Sequence, residues 1–224
     1  MTPMLKICGI TDTETLVGMA AAALSPDQLG FVFAESRRRI EPVQWERLSR
    51  LIPGTTKTAG VFVNPSIADI TTVFKAASLD IVQLHGEESP AFCREVRERF
   101  GCVVTKTFSI QTQEGHSIRP ELAAYSGNID YILLDTASGK QRGGTGKTFD
   151  WGRIASYLAW SRAQGIPLLV AGGINADNVS DLLMHYNPDG VDISSGAETN
   201  GKKDIAKMRK IIERMKMYEQ STVE

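Results

Sequence analysis

A chain of 224 residues, 42% hydrophobic and 23% charged with a formal net charge of −1, can bury a sizeable core and has no electrostatic reason to seek nucleic acid or a membrane surface. Its three cysteines, Cys8, Cys93 and Cys102, are odd in number and lack metal-ligand spacing, so neither a disulfide framework nor a metal site is expected. No stretch approaches the apolar length of a bilayer span and no leader-like run precedes Met4, which makes the cytoplasm the expected location.

Residues 5–8 read as a strand closed by Gly9, and Thr11 to Glu14 has the Ser/Thr-x-x-Glu form of a capping box before a helix reaching about Leu24. A second strand, 28–33, leads through the basic run Ser36-Arg37-Arg38-Arg39-Ile40 to a helix with Pro42 at its first position. The third strand, 58–63, is followed by Asn64-Pro65 opening a helix to about Ala77. The fourth, 80–84, is followed by Ser89-Pro90 opening a helix to about Phe100. The fifth strand spans 103–107, with a short helix at 121–125.

The sixth strand, 131–134, is a short apolar run that Asp135 ends. The loop carrying Gly143, Gly144 and Gly146 comes next, and Asp150 caps a helix over 151–163. Residues 167–171 form the seventh strand, with Asn175 capping a helix to about Tyr186. Residues 190–193 form the eighth, with a last amphipathic helix over 204–218. Eight strands alternating with eight helices, and no linker between them, predict one domain over 1–224 built as a closed (β/α)8 barrel. An open doubly wound sheet is the alternative.

A parallel barrel gathers its strand ends at one face, so Cys8, Phe33, His85, Lys106, Asp135, Gly172 and Ser194 should surround one cavity. The loops after strands seven and eight, where this fold commonly binds phosphate, consist of small residues: Gly172-Gly173 and Ser194-Ser195-Gly196. Glycines 143, 144 and 146 let backbone N–H groups converge on an anion, although Gln141 stands where a P-loop requires glycine. Cys8 ends strand one with Lys6 on its face, a cation that favours the thiolate. If the two-residue alternation holds, Lys6 and Asp192 both point inward on neighbouring strands and should pair. Of the three histidines only His85 is placed to reach the cavity, as a binding or a structural group.

The segments KICGIT (6–11), GFVF (30–33), SRRRI (36–40), GVFVN (60–64), QLHGEE (83–88), LLDT (133–136), GGTGKTFDW (143–151), AGGI (171–174) and GVDISSGAE (190–198) resemble, in order, those of the phosphoribosylanthranilate isomerase family of tryptophan biosynthesis. The resemblance implies a (β/α)8 enzyme without a cofactor. It converts N-(5-phosphoribosyl)anthranilate by an Amadori rearrangement to 1-(2-carboxyphenylamino)-1-deoxyribulose 5-phosphate. It further implies Asp135 as general acid and Cys8 as general base, two roles that need opposite proton affinities. Arg38 would meet the anthranilate carboxylate while Arg37 and Arg39 remain surface charges. The implied partner is a small phosphorylated substrate, with no nucleic acid or membrane, on a monomer or homodimer. Two departures stand out: Ser25-Pro26 where the family has Gly-Ala, and Ala197 and Asn200 where it has Val and Pro.

Indole-glycerol-phosphate synthase is a rival barrel, but it carries an N-terminal extension and a lysine acid. Pentulose-phosphate epimerase needs paired aspartates with metal-binding histidines. A non-catalytic phosphosugar sensor would have no need of Cys8 and Asp135.

Overall fold

A computed structural model describes residues 2–111, 120–137, 152 and 154–221. Eight parallel strands close on themselves in sequential order. They are β1 Met4–Cys8, β2 Gln28–Val32, β3 Lys57–Phe62, β4 Ile81–Leu84, β5 Val103–Gln111, β6 Tyr131–Ala137, β7 Leu168–Ala171 and β8 Gly190–Ile193. Closure is made by β1 against β8, in the register Lys6↔Asp192 and Ile7↔Ile193, which excludes the open sheet. Around the barrel lie α1 Thr13–Ala21, α2 Pro42–Ser49, α3 Ile67–Ala76, α4 Pro90–Phe100, α5 Ile154–Gln164, α6 Val179–Tyr186 and α7 Ile205–Ser221.

The alternation of side chains along each strand divides the buried residues in two. Ile7, Leu29, Phe31, Val82, Leu84, Val104, Leu134 and Val170 belong to the large cluster beneath the helices. Leu133, Leu169 and Ala171 form a small separate cluster inside the barrel, packed with Met4 and Tyr131. Above that plug the inward positions turn polar, with Lys6, Gln83, Asp135 and Asp192 all buried. Such groups are tolerated in an interior only when they are hydrogen-bonded or waiting for a ligand.

Several expected boundaries differ. The segment foreseen as a fifth helix is a 3₁₀ turn, Pro120–Tyr125, so seven α-helices accompany the eight strands among the described residues. The cap of α1 is Asp12, whose carboxylate accepts from the Thr15 N–H at 2.8 Å, rather than Thr11. In α3, Ser66 and Asp69 make the reciprocal capping box, while Asn64 sits before the helix with φ +47°. Asn178 is the cap residue of α6, and Asn175 only starts the turn leading to it. In α1 and α3 a neighbouring short polar residue supplied the cap, whereas Asn178 holds the cap position of α6 without a side-chain cap bond.

Strands β5 and β6 run further than their apolar stretches, pairing Ser109↔Asp135 and Gln111↔Ala137. Asp135 is therefore inside its strand rather than at its end. Buried Phe108 and Ile110 extend β5, and backbone pairing carries β6 past the acid. The cap expected at Asp150 and the loop glycines 143, 144 and 146 lie outside the described residues.

Candidate active site

At the C-terminal mouth of the barrel a cavity of about 670 Å³ is lined by Cys8, Arg38, Gln83, His85, Asp135, Gly172, Gly173, Asp192, Ser194 and Ser195 among others. Two expected neighbours are absent from the lining. Phe33 packs against Trp45 and Phe62 between the strands and the helices. Lys106 points away and donates to Glu88 at 3.0 Å and to the Gly86 carbonyl at 2.7 Å. That ion pair is buried on both sides. Glu88 also accepts from the backbone N–H of Asn64 and of Gly86, so one charge pair ties the segments after β3 and β4 to the middle of β5.

Cys8 is the last residue of β1 and is buried. Burial pushes its thiol above the usual 9.0, and Asp192 adds to that shift; Lys6 and Lys203 oppose it without cancelling it. Burial thus outweighs the pull toward thiolate expected from Lys6. Its Nζ donates to Asp192 Oδ2 at 3.0 Å, the pairing that the alternation of β1 and β8 predicts. Burial alone would lower the Lys6 ammonium, but Asp192 and Cys8 outweigh it and hold it above its ordinary value. Cys93 and Cys102 are pushed by burial up to about 11 and stay inert thiols away from the cavity.

Across the cavity, on β6, Asp135 is 8% exposed and has His85 Nε2 at 3.4 Å from Oδ2. The other ring nitrogen, Nδ1, faces Gln83 Nε2 at 3.4 Å, which also meets Thr107 Oγ1. His85 is therefore a bridge between the acid and a buried amide. His185, by contrast, is exposed on α6, with Nδ1 2.7 Å from the Asp181 carbonyl.

The small-residue loops after β7 and β8 meet at one end of the cavity. Gly172 and Gly173 have φ of +95° and +68°, conformations that expose consecutive N–H groups. Gly196 is not on the lining; its missing Cβ lets the β8 loop lie directly against the Ile174 carbonyl of the β7 loop.

Arg38 occupies the rim and is not free. Its Nε and Nη2 donate to the two oxygens of Glu198 at 2.6 and 2.9 Å, and its side chain is only 12% exposed. Arg37, 57% exposed, also reaches Glu198 at 2.9 Å, so it is not simply a solvated charge; Arg39 pairs with Glu41 at the surface. Glu198 further accepts from buried Lys203 at 2.9 Å, and Lys203 donates on to the Ser194 carbonyl. Burial favours the neutral acid in Glu198, but Arg38 and Lys203 outweigh it and hold the carboxyl below its usual range. Burial lowers Lys203 despite its partner.

Neither Glu198 nor Lys203 stood out in the sequence, yet a signal was there. Asn200-Gly201, with φ of +51° and +78°, is the two-residue turn of a hairpin, and it folds Lys203 back beside Glu198. The Asn200 departure thus builds this turn, and Ala197 is fully buried beneath it.

One edge of the Arg38 guanidinium is occupied by Glu198, which leaves the Nη1 side for an anion. The cavity accordingly brings together a clamped cation, two small-residue loops, a thiol and a carboxyl. Such a set of groups suits an anionic ligand on which a proton is moved.

Residues 5–214 match the family model described as N-(5'-phosphoribosyl)anthranilate isomerase. An N-(5'-phosphoribosyl)anthranilate isomerase of Brevibacillus brevis is 39% identical over 216 residues, 96% of this chain and 95% of that protein. The crystal structure of the phosphoribosyl anthranilate isomerase of Thermotoga maritima superposes with a TM-score of 0.79 at 34% identity, covering 96% of this chain and 99% of the other. Another structure of such an isomerase, in complex with reduced 1-(o-carboxyphenylamino)-1-deoxyribulose 5-phosphate, has a TM-score of 0.75 at 32% identity, covering 96% and 99%.

Proposed function

Because the chain belongs to the phosphoribosylanthranilate isomerase family of tryptophan biosynthesis, we propose that its cavity performs the Amadori rearrangement with Asp135 as general acid and Cys8 as general base. The observation that carries this reading is the placement of those two groups on β6 and β1, lining one cavity together with the small-residue loops after β7 and β8 and a clamped arginine. The substrate phosphate sits against Gly172, Gly173, Ser194 and Ser195, with Gly196 in the supporting loop. The anthranilate carboxylate takes the free edge of Arg38. The ribose is then stretched between them, over Asp135 and Cys8.

Asp135 delivers its proton to the furanose ring oxygen, the C1–O bond breaks, and the nitrogen lone pair forms an iminium. Cys8, as the thiolate left once its own proton has passed to solvent, takes the proton from C2; the C–H electrons become the C1=C2 bond of an enolamine and the iminium π electrons return to nitrogen. Loss of the hydroxyl proton from O2 and protonation of C1 complete the ketone. A buried thiol is a poor base at rest, yet the iminium places a positive charge beside it when the proton must leave, which favours the thiolate. His85 holds the Asp135 carboxyl toward the ring. The family reaction needs no cofactor in this scheme, since acid, base and iminium supply every step.

The test is turnover of N-(5-phosphoribosyl)anthranilate by purified protein without added metal, followed by the change in anthranilate fluorescence. Turnover that survives in both Cys8→Ser and Asp135→Asn would overturn the assignment.

A further inference from the structure

Among the described residues, two buried side-chain atoms have no hydrogen-bond partner: Gln83 Oε1 and Asp192 Oδ1. Both residues line the same cavity, and they are 2% and 7% exposed. Their other atoms are engaged, Asp192 Oδ2 by Lys6 at 3.0 Å and Gln83 Nε2 by Thr107 Oγ1 and His85 Nδ1 at 3.4 Å each. Turning the Asp192 carboxylate away would break its ion pair with Lys6. A buried acceptor without a donor costs free energy, so a ligand bound here gains by bringing one.

The donor's chemistry follows from the surroundings. Asp192 is already neutralised by Lys6, so the pair calls for an uncharged N–H or O–H rather than a second cation. Phosphate and carboxylate ends, which mainly accept, do not fit against two acceptor oxygens. On the substrate of the proposed function, on which this step rests, the groups that remain are the sugar hydroxyls. Register places them further: Asp192 pairs with Lys6, two residues from Cys8 on the neighbouring strand, which is the base acting at C2.

We propose that Asp192 and Gln83 form a hydroxyl-binding floor, in which Asp192 Oδ1 accepts from the C2 hydroxyl of the substrate and Gln83 Oε1 from a hydroxyl further along the sugar. The floor holds the C2–H bond toward Cys8, and it distinguishes a phosphoribosyl from a phosphodeoxyribosyl ligand.

The probes are reduced 1-(2-carboxyphenylamino)-1-deoxyribulose 5-phosphate, which keeps a hydroxyl at C2, and its 2-deoxy counterpart, titrated by fluorescence. Wild-type protein should bind the hydroxylated probe about ten- to a hundredfold more tightly, the range for a hydrogen bond to a charged group. In Lys6→Met/Asp192→Ala, which removes the pair together and strands no charge, the preference should fall below about twofold. Gln83→Met should weaken both probes and keep their ratio. A merely structural role for Asp192 would weaken both probes equally in the double variant. Equal binding of the two probes by wild type overturns the proposal whether or not the variant folds, and a preserved ratio in a folded double variant overturns it too. If wild type turns over N-(5-phosphoribosyl)anthranilate but ignores the C2 hydroxyl, only the floor is wrong. Absence of turnover and of binding by either probe removes both readings.

Discussion

Replacing Glu198 by glutamine tests whether the rim arginine is held or merely present. The carboxylate accepts from Arg38 Nε at 2.6 Å, Arg38 Nη2 at 2.9 Å, Arg37 at 2.9 Å and Lys203 at 2.9 Å. An amide keeps one acceptor, so at least one of the two Arg38 donors must then face an NH₂ group. Losing one charge-assisted hydrogen bond that fixes the fork, about 1.5 kcal/mol, corresponds to roughly a tenfold rise in KM. The kcat should change little, because the contact is made in ground and transition states alike. Stability should drop by about 3 kcal/mol, since Arg37 can turn to solvent whereas Lys203, 2% exposed, cannot.

Urea unfolding and steady-state kinetics separate the two effects. Adding Lys203→Met to the Glu198→Gln variant should restore much of the stability and leave KM high. The Glu198 carboxyl is held below its usual 4.5 in the folded state, so its contribution is complete above that pH and disappears as the pH falls through the folded value. The acid limb of the stability profile should accordingly be shallower in the variant. A KM within twofold of wild type in folded Glu198→Gln would refute the clamp.

Cys8→Ser and Asp135→Asn should each lower kcat by roughly 10² to 10⁴-fold while the reduced product analogue still binds, which fluorescence titration checks. Arg38→Ala should raise KM well above the effect of Arg37→Ala or Arg39→Ala, because only Arg38 combines a buried fork with a place on the cavity; equal KM values in the three would remove its role. Since burial lifts the Cys8 thiol above 9.0 and the thiolate is the active form, kcat/KM should rise with pH from neutrality into the alkaline range. In Cys8→Asp, whose base ionises in the acid range, that rise should vanish. Gly9→Ala should also raise KM: at φ +86° its Cβ would collide with Arg38 Cδ.

Most of the barrel was legible because each strand is a short apolar run with a turn or cap signal after it, and these survive without knowledge of the partner strand. The acid and the thiol were visible as polar residues at the ends of such runs. Residues whose importance depends on distant neighbours were not. Glu198 and Lys203 look like ordinary surface charges until the Asn200-Gly201 turn and the loop after β2 bring them to Arg38, 160 residues away in sequence for Glu198. Lys106 was assigned to the cavity because the fifth strand was expected to end beside it, but β5 runs on to Gln111 and the alternation directs Lys106 to Glu88. The thiolate inferred from Lys6 failed because the nearby cation was readable while the burial of Cys8 that outweighs it was not, even though the commitment of Lys6 to Asp192 was foreseen.

That commitment has a consequence for how the chain is made. Lys6 leaves the ribosome early and its partner follows 186 positions later, roughly 10 to 40 s at ordinary elongation rates. Until β8 emerges, β1 has an unpaired edge and an ammonium with no counter-charge, so burying it would be costly. The step that joins β1 to β8 therefore also neutralises Lys6, so closing the barrel and burying that ammonium are one event.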